Sequence, residues 1–145
     1  MHRAVPAAAA SAALVLPWTN AAVAATKAPK AKKKVLVVTK SVTGTPGQAD
    51  RWGNVQVTLV VKKTTTILGT TKRIKRTITD VQVPIYPNHT DRSVFINQQA
   101  LPLLRQEVLK AQIGMKSLQL ISGATATSYA FADSLQSALL RAQKL

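Results

Sequence analysis

Between Asn54 and Lys63 the chain alternates: Val55, Val57, Leu59 and Val61 share one parity, Gln56, Thr58 and Lys62 share the other, and only Val60 is out of step. Successive side chains of a strand point to opposite faces, so this run predicts a strand with one face buried and one face wet. Such a strand needs hydrogen-bonding neighbours at its edges and a cover over its apolar face. A second extended run, Arg73 to Pro84 with Ile74, Ile78, Val81 and Val83, follows a threonine-rich connection from Thr64 to Thr71 that contains Gly69. The pair predicts an antiparallel hairpin or meander. Lys72, Arg73, Lys75 and Arg76 on the second run either protect an edge strand by charge or form a ligand-binding patch.

The cover is expected from helices. Pro84 and Pro87 close the sheet segment, and Ser93 is placed to cap a helix in which Ile96, Ala100, Leu103, Leu104 and Val108 recur at helical spacing. Pro102 is expected to kink this helix or to start a second one, and Gly114 to end it. Ser117 to Ile121 carries Leu118, Leu120 and Ile121, which fits a short inner strand or a buried turn. Thr127 to Gln143 reads as a last helix with Phe131, Leu135, Leu139 and Ala142 on one face and Ala138 beside it. The order of elements gives an α+β class: a small antiparallel sheet with helices packed on it.

The composition narrows the chemistry. The chain has 145 residues, 46% of them hydrophobic, which supports one packed domain. It has no cysteine, which excludes disulfides, thiolate metal sites and a cysteine nucleophile. Twenty Lys and Arg against five acids give a formal charge of +15. Six of the lysines (Lys27, Lys30, Lys32, Lys33, Lys34 and Lys40) crowd into one short stretch behind an Ala-rich apolar segment, Ala4 to Pro17, preceded by His2 and Arg3. Positive start, apolar middle and Ala22-Val23-Ala24 before Ala25 have the order of a secretory signal, with cleavage expected after Ala24. The organisation expected is a signal segment over 1–24, a basic flexible linker over 25–47 and a domain over 48–145, exported to the extracytoplasmic side and membrane-associated. An uncleaved anchor is the other reading of the first segment. Export argues against nucleic acid as the partner of the positive charge. The linker is either a solvated spacer or a tether over an anionic membrane or cell-wall surface, where each basic residue contributes about 1 kcal/mol.

One stretch carries candidate chemistry. Ser122-Gly123-Ala124-Thr125-Ala126-Thr127-Ser128 precedes the last helix. Gly123 and Ala124 permit close approach of backbone to a ligand, the hydroxyls offer donors and acceptors, and the helix start offers unpaired N–H groups to an anion such as phosphate. Ser and Thr at this place also serve as simple helix caps.

This stretch and the helix residues after it, Tyr129 to Leu139, resemble the FMN-binding domain family, whose members include the flavin-carrying subunits of sodium-translocating quinone reductases and Rnf complexes. Supporting stretches are Arg51-Trp52-Gly53-Asn54-Val55-Gln56-Val57, Asp80-Val81-Gln82-Val83-Pro84 and Asn97-Gln98-Gln99-Ala100-Leu101-Pro102. The resemblance implies that FMN is held by a phosphoester on Thr125, made by a separate exported flavin transferase. It further implies that Ser122, Gly123, Ala124, Thr127 and Ser128 surround the phosphate, and that electrons pass to and from membrane redox proteins. The protein would then be a redox carrier rather than an enzyme with its own substrate. The family usually has an acid three residues before the motif's serine, and here that position is Gln119. The alternative function is therefore a flavin-free module of the same fold that holds an anionic cell-surface partner.

Outside this stretch little is assembled. His89 is the one histidine beyond the first segment, and with no cysteine it makes a poor metal site. Ser122, His89 and an aspartate match no nucleophile elbow. Trp52 and Tyr129 either stack on an isoalloxazine ring or pack in the core.

Overall fold

The computed structural model describes Ala31–Leu145. The signal segment expected over 1–24 and the tether up to residue 30 lie outside the described residues. The alternating run forms the middle of the sheet. Strand β3, Asn54–Leu68, buries Val55, Val57, Leu59 and Val61 on one face, as the pattern predicts. It turns at Gly69 and Thr70 into β4, Thr71–Ile85, which pairs antiparallel along its length. Gly69 has φ +60°, the positive φ that a two-residue hairpin turn needs at its first central position. Among the described residues β4 pairs only with β3 and is an edge strand, with its four cations in the distal half.

The opposite side of β3 is filled by β1, Lys33–Thr43, and β2, Gly47–Gln48. Residues 33–43, expected within a flexible linker, are thus the longest stretch of that sheet edge, in register from Lys33 opposite Leu68 to Thr43 opposite Thr58. Composition misleads here because the lysines flank Val35 to Val38, and β-branched residues next to the open side of β3 extend the sheet despite the charge.

Two helices cover one face. Helix α1, Asp91–Ala111, is unbroken through Pro102. The proline leaves the Gln98 carbonyl without its helical donor, but Gln98 and Pro102 are both on the exposed side, and buried Leu101 and Leu104 hold the two sides of the helix to the core. The cap is Thr90, whose side chain accepts from Ser93 N at 3.1 Å, three residues before the expected cap. The buried seam runs through Asn97, Ala100, Leu101, Leu104 and Val108, while Leu103 is exposed. Helix α2, Thr125–Gln143, buries Phe131, Leu135, Ala138, Leu139 and Ala142, the face read from the sequence, and starts two residues earlier than expected. Together these elements form the expected α+β fold. Among the described residues no helix is long and apolar enough to cross a membrane.

Ser117–Ile121, one reading of which is an inner strand, is irregular. Its N–H groups go to side chains instead: Gln119 N donates to Glu107 Oε1 at 2.8 Å and Ile121 N to Ser128 Oγ at 3.2 Å. At Ile78 the edge of β4 is already taken by the Gln112 amide, which accepts from Ile78 N at 2.8 Å and donates to Ile78 O at 3.1 Å. A side-chain amide in this position does the work of a neighbouring strand's peptide group.

The contact of α2 with the sheet edge is unusually close. Gly44, between β1 and β2, and Gly47, the first residue of β2, let the helix backbone approach so far that a Cβ on either would stand 2.0 Å from a carbonyl oxygen, of Ser134 and Ala130 respectively. The helix also completes the interrupted hydrogen bonding. Val57 N donates to buried Ser134 Oγ at 2.8 Å, Thr45 N to Ser137 Oγ at 2.7 Å, and Arg141 Nη1 to Thr43 O at 2.6 Å.

A bulge between Val60 and Val61 sets Asp80 on the sheet's outer side. Its carboxylate accepts from Gln82 Nε2 at 3.2 Å, Val81 N at 2.8 Å and Arg105 Nη2 at 3.4 Å. These donors, Gln82 foremost, hold the Asp80 carboxyl below the usual aspartate value against a smaller opposing desolvation. A carboxyl depressed on folding contributes stability that is present above its unfolded pKa and is lost as pH falls through the folded one. The thermal midpoint should therefore drop on acidification below the usual aspartate range, and Asp80→Asn should reduce that slope. An equal slope in the variant would show that Asp80 takes no part in acid sensitivity.

Candidate functional site

The segment between α1 and α2 ends in a tight turn. Ala124 N donates to Ile121 O at 3.0 Å, and Gly123, third in the turn, has φ +82°, a conformation that favours glycine. No atom lies within 4 Å of where a Cβ on Gly123 would stand, so its outer side is open. The turn delivers the chain into α2 without a side-chain cap: Ala124 is the cap residue, and the first helical bond runs from Ser128 N to Ala124 O at 2.9 Å. The N–H groups of Thr125, Ala126 and Thr127 precede that bond and have no intrahelical acceptor. Thr125 is exposed at the first helical position.

These groups form one wall of a cleft of about 450 Å³. The start of α1 forms a second wall with Thr90, Arg92, Ser93 and Ile96, and the short turn before β3 forms a third with Arg51 and Trp52. That third wall is set by backbone geometry. Asp50 has φ +48° and Gly53 φ +119°, Ala49 N donates to Gly53 O at 2.7 Å, and the Arg51 guanidinium lies 4.9 Å from the centre of the Trp52 ring. Two guanidinium groups and two helix starts face the cleft, and none of its lining residues is an acid. Such a field favours an anion, and the partly exposed Trp52 ring offers a flat apolar face beside it.

Asn97 ties the walls together. It is 1% exposed, and its Nδ2 donates to Pro87 O at 2.7 Å while its Oδ1 accepts from Thr127 Oγ1 at 2.8 Å. One amide thus links α1, the loop before it and the first turn of α2. Asn97→Ala would leave a buried hydroxyl and a buried carbonyl without partners, a loss of about 1–3 kcal/mol each. The expected result is a lower denaturant midpoint together with a wider spread of cleft conformations, read as faster amide exchange over residues 86–90 and 122–127.

The residues singled out from the sequence separate into two groups. Gly123, Ala124, Thr125 and Thr127 line the cleft, and Ser122 and Ser128 do not. Ser128 is buried, donating to Ala124 O at 2.9 Å and accepting from Ile121 N, so its hydroxyl holds the turn. The Thr127 hydroxyl is directed to Asn97. Trp52 is at the cleft, whereas Tyr129 is exposed on α2 away from its lining. Sequence reasoning missed Arg51 and Arg92 as site residues. The one available signal for Arg92 is its place just after the Thr90 cap, which marks a helix start. Among the described residues no three His, Asp or Glu side chains come together as a metal site.

No protein-family model, no curated protein and no solved structure matches this chain.

Proposed function

We propose that this protein is an exported electron carrier that holds FMN in the cleft, with the flavin phosphate esterified to Thr125. The observation that carries this reading is the exposed Thr125 hydroxyl at an uncapped helix start inside a cleft with two arginines and no acid. The cleft volume of about 450 Å³ falls in the range of cofactor sites. When bound, the flavin supplies the redox chemistry, and the protein supplies position and electrostatics. The free N–H groups of Thr125 to Thr127 and the Arg51 and Arg92 guanidiniums hold the phosphate oxygens, and the Trp52 ring shields one side of the cleft from water. Gly123 leaves room for close approach of the ligand.

Attachment is carried out by an exported flavin transferase acting on a flavin dinucleotide donor. The Thr125 Oγ1–phosphorus bond forms, the donor's phosphoanhydride bond breaks, the nucleoside monophosphate leaves, and the hydroxyl proton passes to solvent. Gln119 stands where the resemblance leads one to expect an acid, but Glu107 brings a carboxylate to its backbone N–H at 2.8 Å. Electron partners in this reading are membrane redox proteins.

The test is co-expression with an exported flavin transferase, followed by flavin fluorescence in a denaturing gel and by intact mass. A fluorescent band and a mass gain of one FMN less one water are expected. Absence of both, with the transferase active on another target, would overturn the flavin reading in favour of the flavin-free binding module.

A further inference from the structure

The sheet extends beyond its cover. From Lys33 to Lys40 on β1 and from Lys62 to Thr77 on the β3–β4 hairpin, the three strands carry nine cations (Lys33, Lys34, Lys40, Lys62, Lys63, Lys72, Arg73, Lys75 and Arg76) and no acid, and of these the half-buried Lys63 donates to the Leu145 carbonyl oxygen. The same half holds six exposed aliphatic side chains: Val35 (47%), Leu36 (46%), Val37 (52%), Val38 (47%), Leu68 (51%) and Ile74 (41%). The register places Val35, Val37 and Leu68 with Lys33, Lys62, Arg73 and Lys75 on the face away from the helices, and Leu36, Val38 and Ile74 with Lys34, Lys40, Lys63, Lys72 and Arg76 on the other. Apolar and cationic groups are therefore mixed on both faces, and all six aliphatic residues lie within five residues of the tip along their strands.

We propose that this distal half of the sheet seats tip-first on an anionic phospholipid surface, its cations against the headgroup phosphates and its aliphatic side chains at the boundary of headgroups and acyl chains. Charge complementarity selects the occupant. A polyanion alone gains nothing from six exposed aliphatic groups, whereas an anionic lipid interface rewards both kinds of residue. Self-association through the β1 edges is disfavoured, because an antiparallel pairing centred between Leu36 and Val37 sets Lys33 against Lys40. Depth is limited by chemistry: among the described residues β1 and β4 are the edges of the sheet, and their outward backbone groups need water or headgroup partners. At the tip itself Ala31 lies beside the Gly69 turn, its Cβ 3.8 Å from where a Cβ on that glycine would stand.

The test is sedimentation of the full chain with vesicles of phosphatidylcholine alone or mixed with phosphatidylglycerol, and with soluble polyphosphate as competitor. Wild type should pellet with the mixed vesicles only, and less so as salt rises. Lys72→Glu with Lys75→Glu should weaken partitioning by on the order of tenfold or more. Val35→Ser with Val37→Ser should weaken it severalfold without changing the affinity for polyphosphate. Leu68→Ser, at the turn, serves the same purpose should the double variant lose its native circular dichroism. Lys27→Gln with Lys30→Gln separates the preceding segment from the sheet. Equal vesicle binding by wild type and both sheet variants would overturn the proposal. Loss on charge reversal with no effect of either apolar variant would overturn it too, and assign the surface to a soluble polyanion.

Discussion

Gly47→Ala is expected to destabilise the protein by about 3 kcal/mol or more, the upper end of what overpacking causes. The added methyl would stand 2.0 Å from the Ala130 carbonyl oxygen and 2.9 Å from the Ala130 Cα. Those are helix backbone atoms, which unlike a side-chain tip have no rotamer by which to withdraw. Relief requires lifting α2 from β3, and with it the buried Phe131 and Leu135. Folded domains have only about 5–15 kcal/mol in hand, so one methyl group removes a large part of the total. Denaturant titration measures the effect, and Gly114→Ala is the control. A Cβ at Gly114 meets nothing within 4 Å, and its φ is not positive, so that variant should stay within about 0.5 kcal/mol of wild type. Equal midpoints for the two variants would show that the close approach of α2 is not a constraint.

Thr125→Ala is expected to remove all covalent flavin while leaving stability within about 0.5 kcal/mol of wild type, because the side chain is exposed and α2 takes no cap from it. Thr127→Ala should do the reverse. Its hydroxyl donates to buried Asn97, so the loss strands an acceptor and lowers stability by about 1–3 kcal/mol while the attachment oxygen stays in place. Thr125→Ser keeps the oxygen and should retain fluorescence. Two readouts, fluorescence in a denaturing gel and the denaturant midpoint, thus move in opposite directions at two positions of one helical turn. Fluorescence that survives Thr125→Ala would move the attachment to another hydroxyl.

What the sequence conveys depends on how local its cause is. The parity of Val55 to Val61 and the spacing of Phe131, Leu135, Leu139 and Ala142 are set by strand and helix geometry, and both are legible. Strand β1 is not, because its residues alternate in no useful way: Val35 to Val38 are exposed on both faces, so no burial pattern marks them, and their partner lies on a distant segment. Ser117 to Ile121 has a strand's composition, but strand formation needs an open edge, and the Gln112 side chain occupies the one nearby. The offset in the α1 seam has a similar origin: polar Ser93 and Asn97 are buried because Thr90, Pro87 and Thr127 offer them partners, which no hydropathy pattern discloses. The candidate site divides in the same way. The turn at Gly123 and the helix start at Thr125 are local and readable, whereas the convergence of Arg51, Trp52 and Arg92 on them comes from packing.

The bond from Val57 N to Ser134 Oγ spans 77 residues of sequence. Hairpin contacts between β3 and β4 are local and form early, but the gap at residues 44–46 leaves the middle strand with a donor that only α2 satisfies. During synthesis the sheet therefore waits for its helix: until the α2 residues have been made, β3 carries an open position that water must fill, and the fold closes late.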